Sequence, residues 1–278
     1  MDTRQIRYFL AVVDHGGFGR AATALDVAQP TLSQSVKSLE RDLGAGLFHR
    51  AAHGVVLTAA GRAFLAPARQ LMRGVALVVE RDTVDVVAPA PLGAHPGAKL
   101  AGSFARERPG VHVNLDLAGD DEIPQRVRDG ASEIGLVYLP AARPGLTEVE
   151  LGVHELVLAY PPKTTPPPRI QLKTLNGATL LGVTEGSAPR LVVEAALRAA
   201  GVRTRVAIEA GRRDLLVELV LAGAGPAFFT DAAAPAAAAR GAVVRRLDPP
   251  LRLPYGLVHR TAELSTVAAA FVEHALRS

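Results

Sequence analysis

Apolar residues recur at helical spacing in three short segments at the start of the chain. They are Ile6, Phe9, Leu10 and Val13 in the first segment, Ala21, Ala22 and Leu25 in the second, and Leu32, Val36, Leu39 and Leu43 in the third. The first segment stops at Gly16-Gly17, and only Asp26 to Ala28 separates the other two. Pro30 suits the first turn of a helix, where a missing N–H costs nothing. The pattern predicts three helices, the last two arranged as a helix-turn-helix with the final helix starting near Gln29.

The third predicted helix keeps one face polar. Amide and hydroxyl side chains near the start of such a helix can bond base edges in the major groove, while Lys and Arg further along can contact phosphates. A polar helix face alone is more often simply solvated, but the tight turn, the Gln-Pro start and the matched apolar stripes favour DNA reading. The candidates on this helix are Gln29, Thr31, Ser33, Gln34, Lys37 and Arg41.

A short β-prone run, Val55 to Leu57, follows a turn signal at His53-Gly54. This predicts a small hairpin, interpreted as a wing that lays Arg50 and His53 against the DNA backbone or minor groove. His49 and His53 are four residues apart, a spacing that suits a metal only on a helix, so no metal site is predicted.

Thr58 to about Arg81 reads as one long helix interrupted only by Pro67, which should bend it. Its apolar residues recur at alternating spacings of four and three, which is a heptad stripe; they are Phe64, Ala68, Leu71, Val75 and Val78. The stripe fits either pairing with a second chain or packing on the protein's own domain.

Strand-like and helix-like runs alternate through the remaining residues, about 195 of them, which predicts parallel sheets in a two-lobed α/β domain. The strand-like runs lie at 86–87, 111–115, 134–138, 155–160, 179–183, 206–208, 225–229 and 257–258, and the helix-like runs at 98–108, 123–130, 188–200, 214–222 and 266–277. The prolines between Pro161 and Pro168 are interpreted as a crossing point between the lobes. The alanines at 232–239 are interpreted as a helix interrupted by Pro235.

The first 61 residues resemble the winged helix-turn-helix of the LysR-type transcriptional regulators. The resemblance is carried by Arg7 to Val13, Ala21-Ala22, Gln29-Pro30 with Leu32-Ser33, Leu39-Glu40 with Leu43-Gly44, Leu47 to Arg50, and Leu57-Thr58 with Ala60-Gly61. It implies DNA contacts by Gln29, Thr31, Ser33, Gln34, Lys37 and Arg50, and favours dimerisation through the heptad stripe. The chain departs from the family at two positions that usually carry hydroxyls suited to helix N-caps, Gly19 and Ala28. Ala28 offers no side-chain acceptor, a loss of roughly 1 kcal/mol where a cap matters.

The resemblance also implies a fold: an α/β protein with an all-α N-terminal part. We expect a winged helix-turn-helix at 1–58 with its motif at about 18–37, then a linker and dimerisation helix at 59–84. A two-lobed effector domain, similar to type 2 periplasmic binding proteins, should follow at 85–278. Lobe I would comprise about 85–160 and 256–278, and lobe II about 161–255, with two crossover strands as the hinge.

A small-molecule effector is expected in the cleft between the lobes, near loops that follow strands. Relatives that bind small carboxylates often place Ser or Thr right after the first strand, whereas Ala88 to Pro96 has no hydroxyl and three prolines. This departure weakens the expectation of an acidic effector. The candidate contacts are Ala90, His95, Thr184, Ser187, Arg212, Phe229 and Thr230, whose polar members also fit an exposed or capping role.

Charge and composition narrow the function classes. The chain carries a formal net charge of +4 with a sequence pI near 9.7, which suits a polyanionic partner. Residues 1–58, however, hold six basic and five acidic residues, so useful affinity should need two paired domains. There is no cysteine and no nucleophile-elbow, zinc-protease or P-loop motif, so neither an enzyme nor a cofactor is predicted. Ser187 in Glu185-Gly186-Ser187-Ala188-Pro189 fits a helix N-cap better than a nucleophile.

No signal peptide or apolar run of membrane-spanning length is found, so a cytoplasmic protein is expected, with no membrane partner. The expected partners are double-stranded DNA, a second copy of the chain in a homodimer or homotetramer, a small-molecule effector and RNA polymerase. Two other interpretations remain open at this point: a ligand-independent DNA-binding repressor or architectural protein, and a small-molecule enzyme of the binding-protein fold.

Overall fold

The computed structural model describes the 278-residue chain except residues 52–53, 80–82, 142, 184, 212 and 262–263. The side chains of residues 50, 51, 54, 73–79 and 213 are likewise outside the described part.

The N-terminal part contains the predicted helices and hairpin. Its elements are α1 (Thr3–Asp14), α2 (Phe18–Ala24), α3 (Gln29–Leu43), β1 (Phe48–Ala51), β2 (Gly54–Leu57) and α4 (Ala59–Val79). β1 and β2 pair antiparallel, with Arg50 opposite Val55. α4 continues through Pro67. The prediction of a linker extending to residue 84 was wrong at its end, because residues 83 and 84 already belong to the next strand.

The core of this part is built around Phe9 of α1, which is fully buried. Its ring lies 5.3 Å from the rings of both Phe48 of β1 and Phe64 of α4, measured between centroids. Leu39 of α3 and Leu47 before β1 belong to the same apolar cluster. The helix-turn-helix, the β1–β2 hairpin and α4 are therefore held together by one set of apolar contacts.

The C-terminal part is an α/β domain around one nine-stranded mixed sheet, with the strand order β4-β3-β5-β11-β6-β10-β8-β9 and β7 beside β11. The strands are β3 (Thr83–Ala88), β4 (His112–Leu117), β5 (Ile134–Tyr138), β6 (Leu146–Tyr160), β7 (Arg169–Ile170), β8 (Thr179–Val183), β9 (Arg205–Ala210), β10 (Ala227–Thr230) and β11 (Val243–Arg260). The helices are α5 (Ala90–Leu92), α6 (Ala98–Glu107), α7 (Ile123–Arg128), α8 (Ala188–Ala199), α9 (Arg213–Leu221), α10 (Ala234–Ala238) and α11 (Thr266–Arg277), with a π-helical turn at Gly93–Gly97 and a 3-10 turn at Leu172–Leu175. None of the described helices is long and apolar enough to cross a membrane.

Two long strands serve both halves of this sheet. β11 pairs antiparallel with β5 through Tyr255 to His259 and with β6 from Val243 to Arg260, while Leu156 to Ala159 of β6 pair with β10. The chain thus passes from one half of the sheet to the other inside β6, before the proline tract. The predicted crossing point at Pro161 to Pro168, and the lobe boundary placed there, were therefore wrong.

Four further predictions need correction. The sheet is mixed rather than parallel, because β6 pairs antiparallel with β10 and β11, and β11 pairs antiparallel with β5. The segment after the first strand is not a simple loop, because the chain forms α5 at Ala90–Leu92 and then a turn at Gly93–Gly97 whose backbone is non-helical at His95. Pro235 lies in the first turn of α10 rather than interrupting a helix, since a proline is tolerated there. β10 begins at Ala227, two residues later than predicted.

Candidate nucleic-acid interface and effector cleft

α3 has one apolar face and one exposed polar face. Leu32, Val36 and Leu39 are buried against the rest of the N-terminal domain. Gln34, Lys37 and Arg41 lie at i, i+3 and i+7, so they share the opposite face, and all three are exposed. Of the other predicted DNA-binding residues on this helix, Gln29 and Thr31 are also exposed and Ser33 is half-buried.

The start of α3 lacks a side-chain cap. Ala28 is the N-cap residue and makes no side-chain hydrogen bond, as its methyl group requires. Gly19 has no capping role, because it lies within α2 and the cap of that helix is Gly17. The turn before α2 is closed instead by Arg20, whose guanidinium donates to the carbonyl oxygens of His15 (2.6 Å) and Gly16 (2.7 Å). Sequence reasoning missed this contact.

The hairpin places Arg50 on β1, but its side chain and the whole of His53 lie outside the described residues. Their DNA contacts therefore stay predictions. His49, next to Arg50, is exposed on the same short strand.

The heptad stripe divides into two parts. Ala68 is buried, and Phe64 packs on the same cluster of the N-terminal domain. For these two residues the structure favours packing on the protein's own domain over contact with a second chain. Leu71 is 41% exposed, whereas the side chains of Val75 and Val78 are outside the described part of the chain. Dimerisation through Leu71 and beyond stays a prediction.

His154 lies where both halves of the α/β domain meet. It is 7% exposed, on β6, and its ring stacks on Tyr255 of β11 with the centroids 4.4 Å apart. Its Nδ1 is 3.2 Å from Asp231 Oδ1, just after β10, and its Nε2 is 3.3 Å from the carbonyl oxygen of His95. Burial, followed by the negative charge of Asp231, raises the pKa of Tyr255. Of the predicted effector residues, His95 lies at this cluster through its backbone, and Thr230 precedes Asp231 in the chain.

A second contact joins the loop after β4 to the start of α8. The backbone N–H of Ala188 donates to Asp120 Oδ2 at 3.3 Å, and burial raises the pKa of this carboxyl group. Ser187 occupies the N-cap position of α8, as predicted, but its side chain does not form the capping hydrogen bond. Sequence reasoning missed Asp120 as well as His154, Asp231 and Tyr255. A histidine just before the apolar run of β6 was the one local signal that could have pointed to this place.

The remaining effector candidates do not gather at one site. Phe229 is a buried core residue packed among Val157, Leu216 and their neighbours, so the structure gives it a packing role. Ala90 is exposed on α5, and Thr230 is buried at the end of β10. Thr184 and Arg212 lie outside the described residues.

Comparison with known proteins covers both parts of the chain. Residues 3–62 match the family model described as bacterial regulatory helix-turn-helix protein, lysR family, and residues 79–278 match the LysR substrate binding domain. The regulator TfdS of Cupriavidus pinatubonensis is 30% identical over 298 residues, covering 100% of this chain and 98% of that protein. TfdT of the same strain is 54% identical over 72 residues, which are 26% of this chain and 32% of TfdT.

Solved structures share the fold. A full-length OxyR variant from Pseudomonas aeruginosa superposes with a TM-score of 0.75 at 22% identity, covering 100% of this chain and 98% of OxyR. Full-length CbnR, solved in complex with its target DNA, superposes with a TM-score of 0.66 at 24% identity, covering 100% and 99% of the two chains. Both family models and the full-length relative agree with the helix-turn-helix and the α/β domain described above. The chain therefore belongs to the LysR family of DNA-binding transcriptional regulators, which are not enzymes.

Proposed function

We propose that this regulator reads its operator with α3 in the major groove. The observation that carries the proposal is the exposed face of Gln34, Lys37 and Arg41, directly opposite the buried stripe of the same helix. Gln29, Thr31, Ser33 and Gln34 would bond base edges, and Lys37 and Arg41 would contact the backbone. The wing residues Arg50 and His53 would contact the backbone or the minor groove. The existence of a complex between CbnR, a protein of the same fold, and its target DNA supports DNA binding by this fold.

Gln34→Ala and Lys37→Ala should weaken binding in different ways. Loss of the Gln34 amide should reduce discrimination between operator and altered base pairs by about 1–3 kcal/mol, the range for a good bidentate base contact. Loss of Lys37 should weaken all sequences alike and lower the slope of log affinity against log salt by about one. Footprinting and salt titration on DNA flanking the regulator's own gene measure both effects.

Lys173→Ala is the matched control, since it also removes one exposed cation but from the turn at Leu172–Leu175 in the α/β domain. It should leave affinity and salt slope at wild-type values. Full protection of the operator by both α3 variants would contradict the assignment of this helix.

The proposal includes self-association through the two ends of the sheet. β4 and β9 are its terminal strands, and both carry exposed apolar residues: Leu117 on β4, and Val206 and Ile208 on β9. Edge strands with exposed apolar side chains are normally covered, because they otherwise promote aggregation. A second copy that covers them would hold two DNA-binding domains on one duplex, which their weak net charge makes necessary.

Ile208→Asp should therefore shift the protein to a smaller assembly in size-exclusion chromatography with light scattering. A charge at a covered apolar contact costs several kcal/mol, enough to dissociate a dimer at micromolar concentration. Leu276→Asp provides the control, because Leu276 is comparably exposed but lies on α11. An unchanged mass for Ile208→Asp would rule out this edge as the interface.

We also propose that a small molecule bound between the lobes modulates DNA binding. The contacts of His154 with Asp231 and His95, and of Asp120 with α8, join segments from both sides of the cleft, so a ligand that alters them would bias the domain between two arrangements. A footprint that stays the same across a metabolite panel would instead favour a ligand-independent regulator. A contact with RNA polymerase belongs to the same proposal and is tested by transcription with purified polymerase.

A further inference from the structure

The carboxylate of Glu40 connects α3 to the first strand of the wing. Glu40 lies one turn beyond Lys37, and its Oε1 accepts hydrogen bonds from the backbone N–H groups of Leu47 (2.7 Å) and Phe48 (3.3 Å). These are the residues at which the loop after α3 enters β1. Hydrogen bonds to a charged acceptor are the stronger kind, so this carboxylate is a firm link between helix and hairpin.

Thr58 makes the corresponding link at the other end of the hairpin. Its backbone N–H donates to the carbonyl oxygen of Leu47 at 2.9 Å, and its hydroxyl donates to the carbonyl oxygen of Gly46 at 2.6 Å. The same hydroxyl accepts from the N–H of Gly61 at 2.9 Å, in the first turn of α4. One side chain thus joins the loop after α3, the end of the wing and the start of the linker helix.

The packing at this point leaves no spare room. A Cβ on Gly61 would lie 2.2 Å from the carbonyl oxygen of Leu47 and 2.8 Å from Leu57 Cδ2. The first turn of α4 therefore packs directly against the backbone of Leu47, and only a glycine fits at position 61. We call the contacts of Glu40, Thr58 and Gly61 around Leu47 the Leu47 junction.

We infer that Glu40 and Thr58 are positioning residues for DNA binding, which set the wing and the linker helix at a fixed angle to the recognition helix. The wing has two strands of four residues, and a two-stranded hairpin has little stability of its own. Phe48 and Leu57 pack its base on the domain core, and the hydrogen bonds of Glu40 and Thr58 fix the path of the backbone where it enters and leaves the hairpin. α3 does not depend on them in the same way, because its own apolar stripe holds it in the core.

This inference rests on the proposed docking of α3. It predicts a change in operator affinity opposite to the one expected from electrostatic repulsion alone. A solvated carboxylate beside DNA repels phosphates, so its removal should strengthen binding. A positioning carboxylate should weaken binding when it is removed, because the wing no longer meets the duplex. Glu40→Ala in the full-length protein should reduce operator affinity on the order of tenfold, the worth of one charge-assisted hydrogen bond.

Two footprints separate the wing from the helix. Dimethyl sulfate protection of guanine N7 reports α3 in the major groove, and hydroxyl-radical protection reports the sugar-phosphate contacts of the wing. We expect Glu40→Ala to keep the protection of guanine N7. It should lose the hydroxyl-radical protection on the flank of each half-site. Glu40→Gln retains an acceptor oxygen and should restore most of the flank protection, and Thr58→Val should lose it where Thr58→Ser keeps it.

Glu150→Ala is the control for removing a carboxylate elsewhere, since Glu150 is exposed on β6; it should leave both footprints intact. Wild-type or tighter binding by Glu40→Ala with complete flank protection would overturn the inference. If Gln34→Ala also has no effect, the docking of α3 itself has failed; if Gln34→Ala acts and Glu40→Ala does not, only the Leu47 junction has failed. Should Glu40→Ala not fold, the comparison of Thr58→Val with Thr58→Ser decides in its place.

Discussion

Truncation of Phe104 to alanine should lower the free energy of unfolding by about 3–5 kcal/mol, the range for removing a buried aromatic ring from a close-packed core. Phe104 is fully buried on α6. Its ring centroid lies 5.1 Å from that of Phe271 and 5.5 Å from that of His274, both on α11. The cavity would therefore open between these two helices, and urea unfolding of the full-length protein measures the loss.

Leu276→Ala is the control in the same helix pair. Leu276 lies on α11 but is 59% exposed, so its truncation should change stability by no more than about 0.5 kcal/mol. A loss from Phe104→Ala as small as that of the control would mean that α6 and α11 do not pack as described.

Three hydrogen-bonded side chains lie beside these rings. Their arrangement resembles a catalytic triad and so has to be compared with the interpretation of this protein as an enzyme. His274 Nε2 is 2.7 Å from Ser103 Oγ, and its Nδ1 is 2.7 Å from Glu107 Oε2, an order of groups familiar from serine hydrolases. Here, however, Ser103 donates its hydroxyl to the carbonyl oxygen of Leu100, and Ser103 and Glu107 share one helix. The Ser103–His274–Glu107 chain thus links α6 to α11.

Gly61→Ala should destabilise the DNA-binding domain by about 2 kcal/mol or more, the cost of overpacking against a backbone that cannot move away. Helix propensity alone argues for the opposite sign, because alanine inside a helix is favoured over glycine by about 1 kcal/mol. The steric clash outweighs the gain in helix propensity, since the new methyl group would lie 2.2 Å from the carbonyl oxygen of Leu47. Thermal unfolding and operator affinity should both fall.

Gly102→Ala tests whether the steric clash or the helix propensity determines the change in stability. Gly102 is also inside a helix, α6, but the nearest atom to an added Cβ is the flexible end of Arg106 at 3.8 Å. Propensity should prevail there, with a gain of up to about 1 kcal/mol. Equal effects from the two substitutions would show that α4 does not press on the wing as closely as described.

Local signals explain why the DNA-binding half was predictable from the sequence. The short break before Ala28, the Pro30 start and the stripe of Leu32, Val36 and Leu39 each act within a few residues, and α3 begins where they indicate. The exposed face of the helix followed from the same periodicity. The hydrogen bonds that anchor the wing could not be predicted in this way, because Glu40 binds a backbone N–H group of Leu47, which no side-chain pattern reveals.

The effector half was less predictable where its contacts are distant in sequence. His154 and Asp231 are 77 residues apart, and nothing near either residue indicates that they meet. β6 was recognised only from Glu155 onward, since the segment from Leu146 to His154 is largely half-exposed and alternates with polar residues. The full length of this strand, and the crossing of the chain within it, became visible only in the pairing with β11.

The continuity of β11 has a consequence for the gene as well as for the protein. One strand near the C-terminus lies between β5 and β6 in the middle of the sheet, so the first lobe, which contains β3, β4 and β5, is not encoded by an uninterrupted stretch of sequence. A nonsense codon shortly before Val243 would therefore not trim a peripheral segment. It would deprive the first lobe of its neighbour to β5, and a truncated product would keep a DNA-binding domain without a folded sensor to govern it.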